Sequence, residues 1–535
     1  MEGDQIDYPT VDEPSQGLLS VTKRGAPKLI DPFHYEYIRS KTINGIDYWH
    51  CPWKNSKVHP YCPATATSMA GESLILTTKP HNHPSDPTGV KVNLAMSKLI
   101  AKVKNDPKIP TASIIAEWSK VTADPAMKSR SILKRTMKRK VQKVKNTVRK
   151  FPPVPKTYED LAEIPPEFAN CFDNERFLIY NEMFEGHGRI LIFASAFGLQ
   201  TLCHSKTWGG DGTFSVVPKP FYQLYTVLAE MDGTSYPSLF CFLPDKKGAT
   251  YKEVFEIVKR EVSLKGELQL EQFLVDFEGP AINQIKPVFG RHVKVTGCQV
   301  HFFRNLHKKQ GEVGNILSWS MARPIFGEFL TSIHGLCYVP ADEVPAYYQA
   351  LIDQELKVVL TDLDENGGVD MEEADDSKES LTNFLDYIEK NYVGHKSRYG
   401  WTMPRFPPSL WNQLENALNG GQLSTNRNEG YHSRLRASLK RNAPIWALFS
   451  ELIDVEAETR AKREEDRANV DYQHEGDGEE EEEGEPQPGG SRDCPGPSAR
   501  YQRKQRRRWL KNIILKREEY TKVAYLKRVS HLDPY

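Results

Sequence analysis

TWGGDGTFSVVPKPFYQLYTVLAEMDG, residues 207–233, decides how the rest of the chain is read, and Asp211 stands at its centre. Two runs rich in β-branched and aromatic residues, FSVV and FYQLYTVLAEM, are joined through Pro218 and Pro220 and predict consecutive antiparallel strands. Asp211 therefore lies on or beside a rigid strand. In EQFLVDFEGP the apolar run Phe273 to Val275 leads into a second carboxylate, Asp276, with Glu278 two residues on and a Gly-Pro break behind it. An aspartate that ends a buried strand projects from the edge of a sheet, where open α/β sheets bind ligands. A third acid, Glu429 in STNRNEGYHSRLRASL, falls on a predicted helix with Leu435 and Leu439 on one face. Taken singly, each of these acids reads equally well as a turn or helix-cap residue.

In order along the chain, DGTF, QLYTV, VDFE, GCQVHFFRN and TNRNEGYH resemble the catalytic domain of Mutator-like element (MULE) transposases, over roughly residues 175–450. The resemblance implies an α/β, RNase H-like domain (176–455) with a helical insertion at about 312–420 and a DDE triad of Asp211, Asp276 and Glu429. It implies DNA strand cleavage and strand transfer, for which two divalent ions about 4 Å apart can activate the attacking oxygen and stabilise the leaving one. Magnesium or manganese suits such a carboxylate site, because hard cations take oxygen ligands and keep several waters. Cys298 and His301 resemble the Cys/Asp-x-x-His element of MULE and hAT transposases, which implies support for the active site. By itself Cys-x-x-His could be half of a zinc site, although no partner pair lies nearby. The implied partner is double-stranded DNA at transposon ends, bound by a homo-oligomer, with no membrane and no small-molecule substrate. No GxSxG elbow, Walker A loop or GxGxxG fingerprint is present.

With 535 residues the chain is too long for one core, and 39% hydrophobic residues suffice for several. Its 71 basic and 71 acidic residues cancel, which argues against wholesale nucleic-acid affinity, but the charges are segregated along the chain. The first residues are acidic without a hydrophobic signal core, and the longest apolar stretch, ILIFASAFGL, is too short to span a bilayer, so a soluble intracellular protein is expected. Eight scattered cysteines form no disulfide framework; in a reducing compartment the question is which of them bind metal.

Residues 1–22 are polar and expected to be disordered, and from 23 to 86 the chain turns aromatic and strand-like. Four potential ligands fall there: Cys51, Cys62, His81 and His83. His-Asn-His follows the β-type run SLILTT, and strand residues i and i+2 share a face, so one segment can present both imidazoles. Two thiolates and two imidazoles make the closed, four-coordinate set of structural zinc, in which metal stands in for a core too small to hold alone. The spacing is not that of common fingers and leaves unrelated cysteines and surface histidines as an alternative. Tyr48-Trp49-His50-Cys51, Cys62-Pro63-Ala64 and His81-Asn82-His83 resemble a FLYWCH-type zinc finger, which implies zinc and a role in DNA or protein recognition.

Residues 90–150 predict three helices broken around Asp106-Pro107 and Asp124-Pro125, possible elements of a helix-turn-helix. The last carries Leu133, Met137, Val141, Val144 and Val148 as an apolar stripe, and eleven Lys or Arg without an acid between Lys128 and Lys150. Lys134, Arg135, Lys138 and Arg139 are its candidate DNA contacts; a solvated face on a linker helix is the alternative. Residues 151–175 are proline-rich and read as a linker. DLDENGGVDMEE, Asp362 to Glu373, satisfies the EF-hand pattern at Asp362, Asp364, Asn366, Asp370 and Glu373, with Gly367 at the turn. Having no partner hand and a highly acidic exit, it reads better as an acidic loop between two helices. Residues 468–500 are acidic, low in complexity and expected to be disordered, and 501–535 predict a basic helix whose RKQRRR cluster could address the nucleus or hold DNA. Two functions follow: an active nuclear DNA transposase, or a domesticated, non-catalytic zinc-finger DNA-binding protein that keeps the fold as a scaffold. Clustered carboxylates favour the first, since a scaffold has no use for their mutual repulsion.

Overall fold

The strand that carries Asp211 is Thr207–Thr213, TWGGDGT, and FSVV is a loop, so the expected boundary is displaced by one segment. Glycine weakens a strand except where another group approaches the backbone closely. Here it does: a Cβ on Gly210 would lie 2.2 Å from the Tyr225 hydroxyl, and one on Gly209 would lie 2.9 Å from Asn428 Oδ1. Long-range neighbours thus select the glycines that local propensity rejects.

The computed structural model describes residues 14–21, 26–314, 316–365, 371–421, 423–439, 443–474 and 499–531. It divides into two units, residues 1–153 with 450–461, and residues 154–449 with 462–535.

In the second unit, the Asp211 strand lies third from one edge of a seven-stranded sheet. From edge to edge the order is Lys294–Gly297, Gln272–Val275, Thr207–Thr213, Gln223–Met231, Thr234–Leu243, Gly188–Phe193 and Leu178–Phe184. The first three are mutually parallel and the remaining neighbours antiparallel. Gly210 pairs with Val275, so Asp211 and Asp276 emerge at the same end of adjacent parallel strands. Helices Gly248–Ser263 and Gly279–Phe289 bury Tyr251, Phe255 and Phe289 with Trp208 and Phe273 of the sheet. The segment read as a linker packs from Val154 onward into this unit: Leu161 and Phe168 are buried, and the Tyr158 carbonyl accepts from Arg189 Nε at 2.8 Å.

Helices fill most of the stretch between Ile316 and Asn419, interrupted by a small hairpin of Lys396–Ser397 with Gly400–Trp401. Residues 366–370 of the EF-hand-like run lie outside the described residues. Asp362 and Asp364 fall inside the helix Lys357–Glu365, and the Asp362 carboxylate pairs with Arg323 at 3.8 Å, which is helical and not ligand-loop geometry. The basic C-terminus is two helices, Ala499–Leu515 and Lys522–His531, and the second buries Val523, Tyr525, Leu526 and Val529 in the core. Among the described residues no helix is long and apolar enough to cross a membrane.

The first unit begins with a seven-stranded antiparallel sheet in the order Pro14–Gln16, Leu74–Lys79, Thr65–Met69, Ile46–His50, Glu36–Ile43, Pro27–Ile30, Leu18–Val21. Strands therefore occupy part of the stretch expected to be disordered; residues 1–13 and 22–25 lie outside the description, as do 475–498 of the acidic segment. Leu29, Tyr35, Tyr37, Trp49, Ala66 and Ile75 form a small core around Cys51 and Cys62. Four helices follow, not three: Pro87–Asn105, Thr111–Val121, Pro125–Arg130 and Lys134–Val148. Asp124 caps the third with its carboxylate, accepting from Ala126 N at 2.7 Å, and Pro125 starts it where no amide donor is needed.

Candidate functional site

The first unit gathers Cys51, Cys62, His81 and His83 so that one donor atom of each lies within 4.8 Å of the others. Cys51 follows the strand Ile46–His50, Cys62 precedes Thr65–Met69, and both thiols are buried. The imidazoles are not presented by a strand, since Leu74–Lys79 ends before them; a bend turns them inward, with ring planes 80° apart. Cys51 Sγ is 3.3 Å from His83 Nε2, Cys62 Sγ is 3.5 Å from His81 Nδ1, and the two nitrogens are 3.1 Å apart. A tetrahedral zinc, with bonds of about 2.3 Å to sulfur and about 2.05 Å to nitrogen, separates S and N by about 3.6 Å and two N by about 3.4 Å. The set fits that ion.

The surroundings orient the ligands as a zinc site requires. His83 Nδ1 donates to the Pro84 carbonyl at 2.8 Å, which leaves Nε2 free as a donor to metal. His81 stacks on Tyr35 at 4.1 Å and His83 on Trp53 at 3.8 Å. Burial pushes the Cys51 thiol up to about 12, reinforced by Cys62 against the Trp53 amide, and burial holds His81 down to about 3, with His83 adding to it. Without a cation this pocket disfavours the Cys51 thiolate and the charged form of His81.

In the second unit, Asp211, Asp276 and His301 also place one donor atom each within 4.8 Å of one another. His301 comes from the helix Gln299–Glu312, which starts directly behind the strand Lys294–Gly297. Its Nδ1 is 3.7 Å from Asp276 Oδ1 and its Nε2 is 3.1 Å from Glu429 Oε1. All three expected acids therefore converge on His301 or on its immediate partners. Cys298 caps the same helix and accepts from Thr425 N at 3.2 Å, while Thr425 Oγ1 meets His301 Nδ1 at 3.3 Å. The Cys-x-x-His element thus joins the helix that carries His301 to the segment leading into the one that carries Glu429.

Glu429 lies in the first turn of the helix Asn426–Ser438, and Asn428 pins that helix to the sheet by donating to the Gly209 carbonyl at 2.8 Å. Three site residues escaped the sequence reading. Arg304 pairs with Glu429, His432 Nδ1 lies 3.3 Å from Asp211 Oδ2, and Thr226 Oγ1 is 2.7 Å from His432 Nε2. A signal existed, because Arg304 stands three residues after His301 and His432 three after Glu429, the helical spacing that shares a face.

Burial raises the Asp276 carboxyl above the ordinary carboxylate range, against His301 and the Phe277 amide, and the charges of Asp211 and Glu429 push it the same way. Burial opposes charge on His301, but the Cys298 side chain, Asp276 and Asp211 outweigh it and lift His301 to about 9. Glu278 belongs to this neighbourhood as well. Burial raises its carboxyl, opposed by the Tyr251 hydroxyl at 2.8 Å, and Asp276 and Asp211 act on it.

The basic helix Lys134–Val148 departs from expectation. Met137 and Val141 are buried, but Leu133 is 66% exposed and Val148 39%, so the apolar stripe is shorter than its pattern. Lys145 is buried and pairs with Asp454 at 2.7 Å, and Lys138 is held by Glu458 at 2.5 Å. Of the four expected DNA contacts, Lys134, Arg135 and Arg139 are exposed, whereas Lys138 is half-buried in its ion pair. Acids more than 300 residues away in sequence draw these cations inward.

Residues 20–83 match the family model of the FLYWCH zinc finger domain, which covers all four Cys and His donors. No curated protein matches the chain. The matched domain and the donor distances point to the same ion, and a zinc finger of this kind suggests nucleic-acid binding.

Proposed function

We propose that the chain is a DNA transposase of the Mutator-like type, in which the FLYWCH finger helps to bind transposon ends and an RNase H-like second unit cuts and joins strands. The observation that carries this reading is the register of the central parallel pair: Gly210 against Val275 brings Asp211 beside Asp276, with the helix of Glu429 pinned above them. Three successive antiparallel strands followed by two parallel ones support the RNase H-like assignment. Asp211, Asp276 and Glu429 would hold magnesium or manganese, together with phosphate oxygens and water, as carboxylate chemistry favours. When bound, such ions polarise phosphoryl oxygen and activate the attacking one. Arg304 and His301 aim Glu429 at the same space, and Cys298 fixes His301 through Thr425. The exposed Lys134, Arg135 and Arg139 add contacts to phosphate, in the nucleus, where a homo-oligomer would bring two ends together.

Charge balance favours a second reading. Glu429 is already engaged by two cationic side chains, as it would be in a domesticated DNA-binding protein that keeps the fold as a scaffold. The test is metal-dependent nicking of a duplex bearing the element's own terminal repeats, with Asp211→Asn, Asp276→Asn and Glu429→Gln as variants. We expect wild type to nick and each variant to lose at least ~10²-fold while still binding DNA. Asp232→Asn is the control, since Asp232 pairs with Arg463 at 2.7 Å. Wild type that never nicks with either magnesium or manganese leaves the scaffold reading; Glu429→Gln that nicks at the wild-type rate removes Glu429 from the triad.

A further inference from the structure

The cluster RKQRRR, residues 503–508, takes no part in the chemistry above. It sits on the helix Ala499–Leu515, which buries Leu510 and Ile514 and packs on the helix Leu414–Asn419. Between the two runs a groove of about 480 Å³, with Arg507, Arg508 and Lys511 on one wall and the Asn416–Gly421 turn and Leu423 on the other. All three cations are exposed. Among the described residues these three converging cations have no acid at ion-pair distance, although Arg507 acts from further off on Glu230. Such crowding repels itself unless an anion enters, and a concave, single-sign wall concentrates anions.

The groove adjoins the acid cluster. The Leu423 carbonyl accepts from Gln299 N at 3.1 Å, and two residues on, Thr425 contacts both Cys298 and His301. Burial raises Glu230 against the charges of Arg427 and Arg507, so Arg507 and the first turn of the Glu429 helix act on one carboxyl. Arg427 also donates to Ser235 Oγ at 2.9 Å. Glu230 lies four residues along its strand from Thr226, the partner of Asp211.

We propose that Arg507, Arg508 and Lys511 form a phosphate track that grips the backbone of the DNA substrate beside the acids. This rests on the reading of the second unit as a DNA-processing domain. Guanidinium groups match phosphate oxygens in pairs, and contacts to phosphate carry no sequence information, so the grip is independent of sequence.

The test titrates the full chain onto a short labelled duplex of arbitrary sequence over a series of salt concentrations. The triple variant Arg507→Ala, Arg508→Ala, Lys511→Ala should lower the slope of log K against log salt by up to ~2.7, or ~0.9 for each lost contact. Arg507→Lys with Arg508→Lys should restore most of it, because charge is kept. Should the triple variant melt early, Lys511→Glu alone carries the test and should still lower the slope. A well-folded triple variant with the wild-type slope overturns the track; if it also fails to enter the nucleus, the cluster is an address read by a protein partner. A fallen slope in the triple variant, with a wild type that never nicks, retains the track and removes the catalytic reading.

Discussion

The Cys51, Cys62, His81, His83 cluster and the Asp211, Asp276, His301 cluster each collect donors within 4.8 Å, yet they treat charge in opposite ways. The finger encloses its donors in an aromatic core, and burial opposes the charged forms of Cys51 and His81. The acid cluster brings its own partners: His301 lifted to about 9, Arg304 on Glu429, and the His432 ring beside Asp211. It is also scaffolded by hydrogen bonds that owe nothing to a metal, such as that from the Asn428 side chain to the Gly209 carbonyl. A site of the first kind makes metal part of the fold. A site of the second kind can take up and release an ion while the fold stands.

The largest effect that would break this contrast is on zinc. A structural zinc supplies an apparent ~10–16 kcal/mol to a small finger, far more than the finger's core can replace. Chelation of the full chain, or Cys62→Ser, should therefore abolish hydrogen-exchange protection over residues 26–83 and leave that of the central sheet of the second unit unchanged. Protection that survives proven loss of zinc would put the two clusters in one class.

A smaller effect sharpens the other side. Asn428 is buried, and Asn428→Ala would leave the Gly209 carbonyl without its side-chain donor, a loss worth about 1–3 kcal/mol. Denaturant unfolding should show that loss equally with and without magnesium. Nicking should fall by more than the stability change predicts, because the same bond sets the position of Glu429. A magnesium-dependent loss of stability would mean that the ion, and not the hydrogen bonds, organises the cluster.

What was legible in the sequence follows the same division. Asp276 at the end of Phe273–Val275 and the four finger donors could be read locally, because a strand end and a Cys/His set carry their chemistry in adjacent residues. The extent of the Asp211 strand could not, because Gly209 and Gly210 are explained by Asn428 and Tyr225, which only the fold brings near. Likewise Lys145 looked like a solvated cation until Asp454, 309 residues on, closed over it. Arg304 and His432 were within reach, since their helical spacing from His301 and Glu429 was visible. The strand Leu178–Phe184 passed unread, its polar Asn181 and Glu182 breaking the alternation that marks a strand.

The smallest effect has an unusual sign. The Asp276 carboxyl is raised in the folded protein, first by burial and then by Asp211 and Glu429. A carboxyl whose folded value exceeds its unfolded one binds its proton more tightly in the native state, so its contribution favours folding at low pH and is lost as pH rises through the folded value. At neutral pH, without divalent metal, the Asp276 charge therefore works against the fold. Replacing it with the isosteric amide removes that charge, and Asp276→Asn should melt slightly above wild type in chelator at pH 7, the difference shrinking towards pH 4. With saturating magnesium the order should reverse, because wild type gains stability from ion binding and the variant gains less. The finger is expected to show no such reversal, since Cys62→Ser should destabilise with or without added magnesium. A variant that melts below wild type in chelator would mean that Asp276 is held by His301 as a stabilising pair, and the acid cluster would then be a finished structural site, not one waiting for an ion.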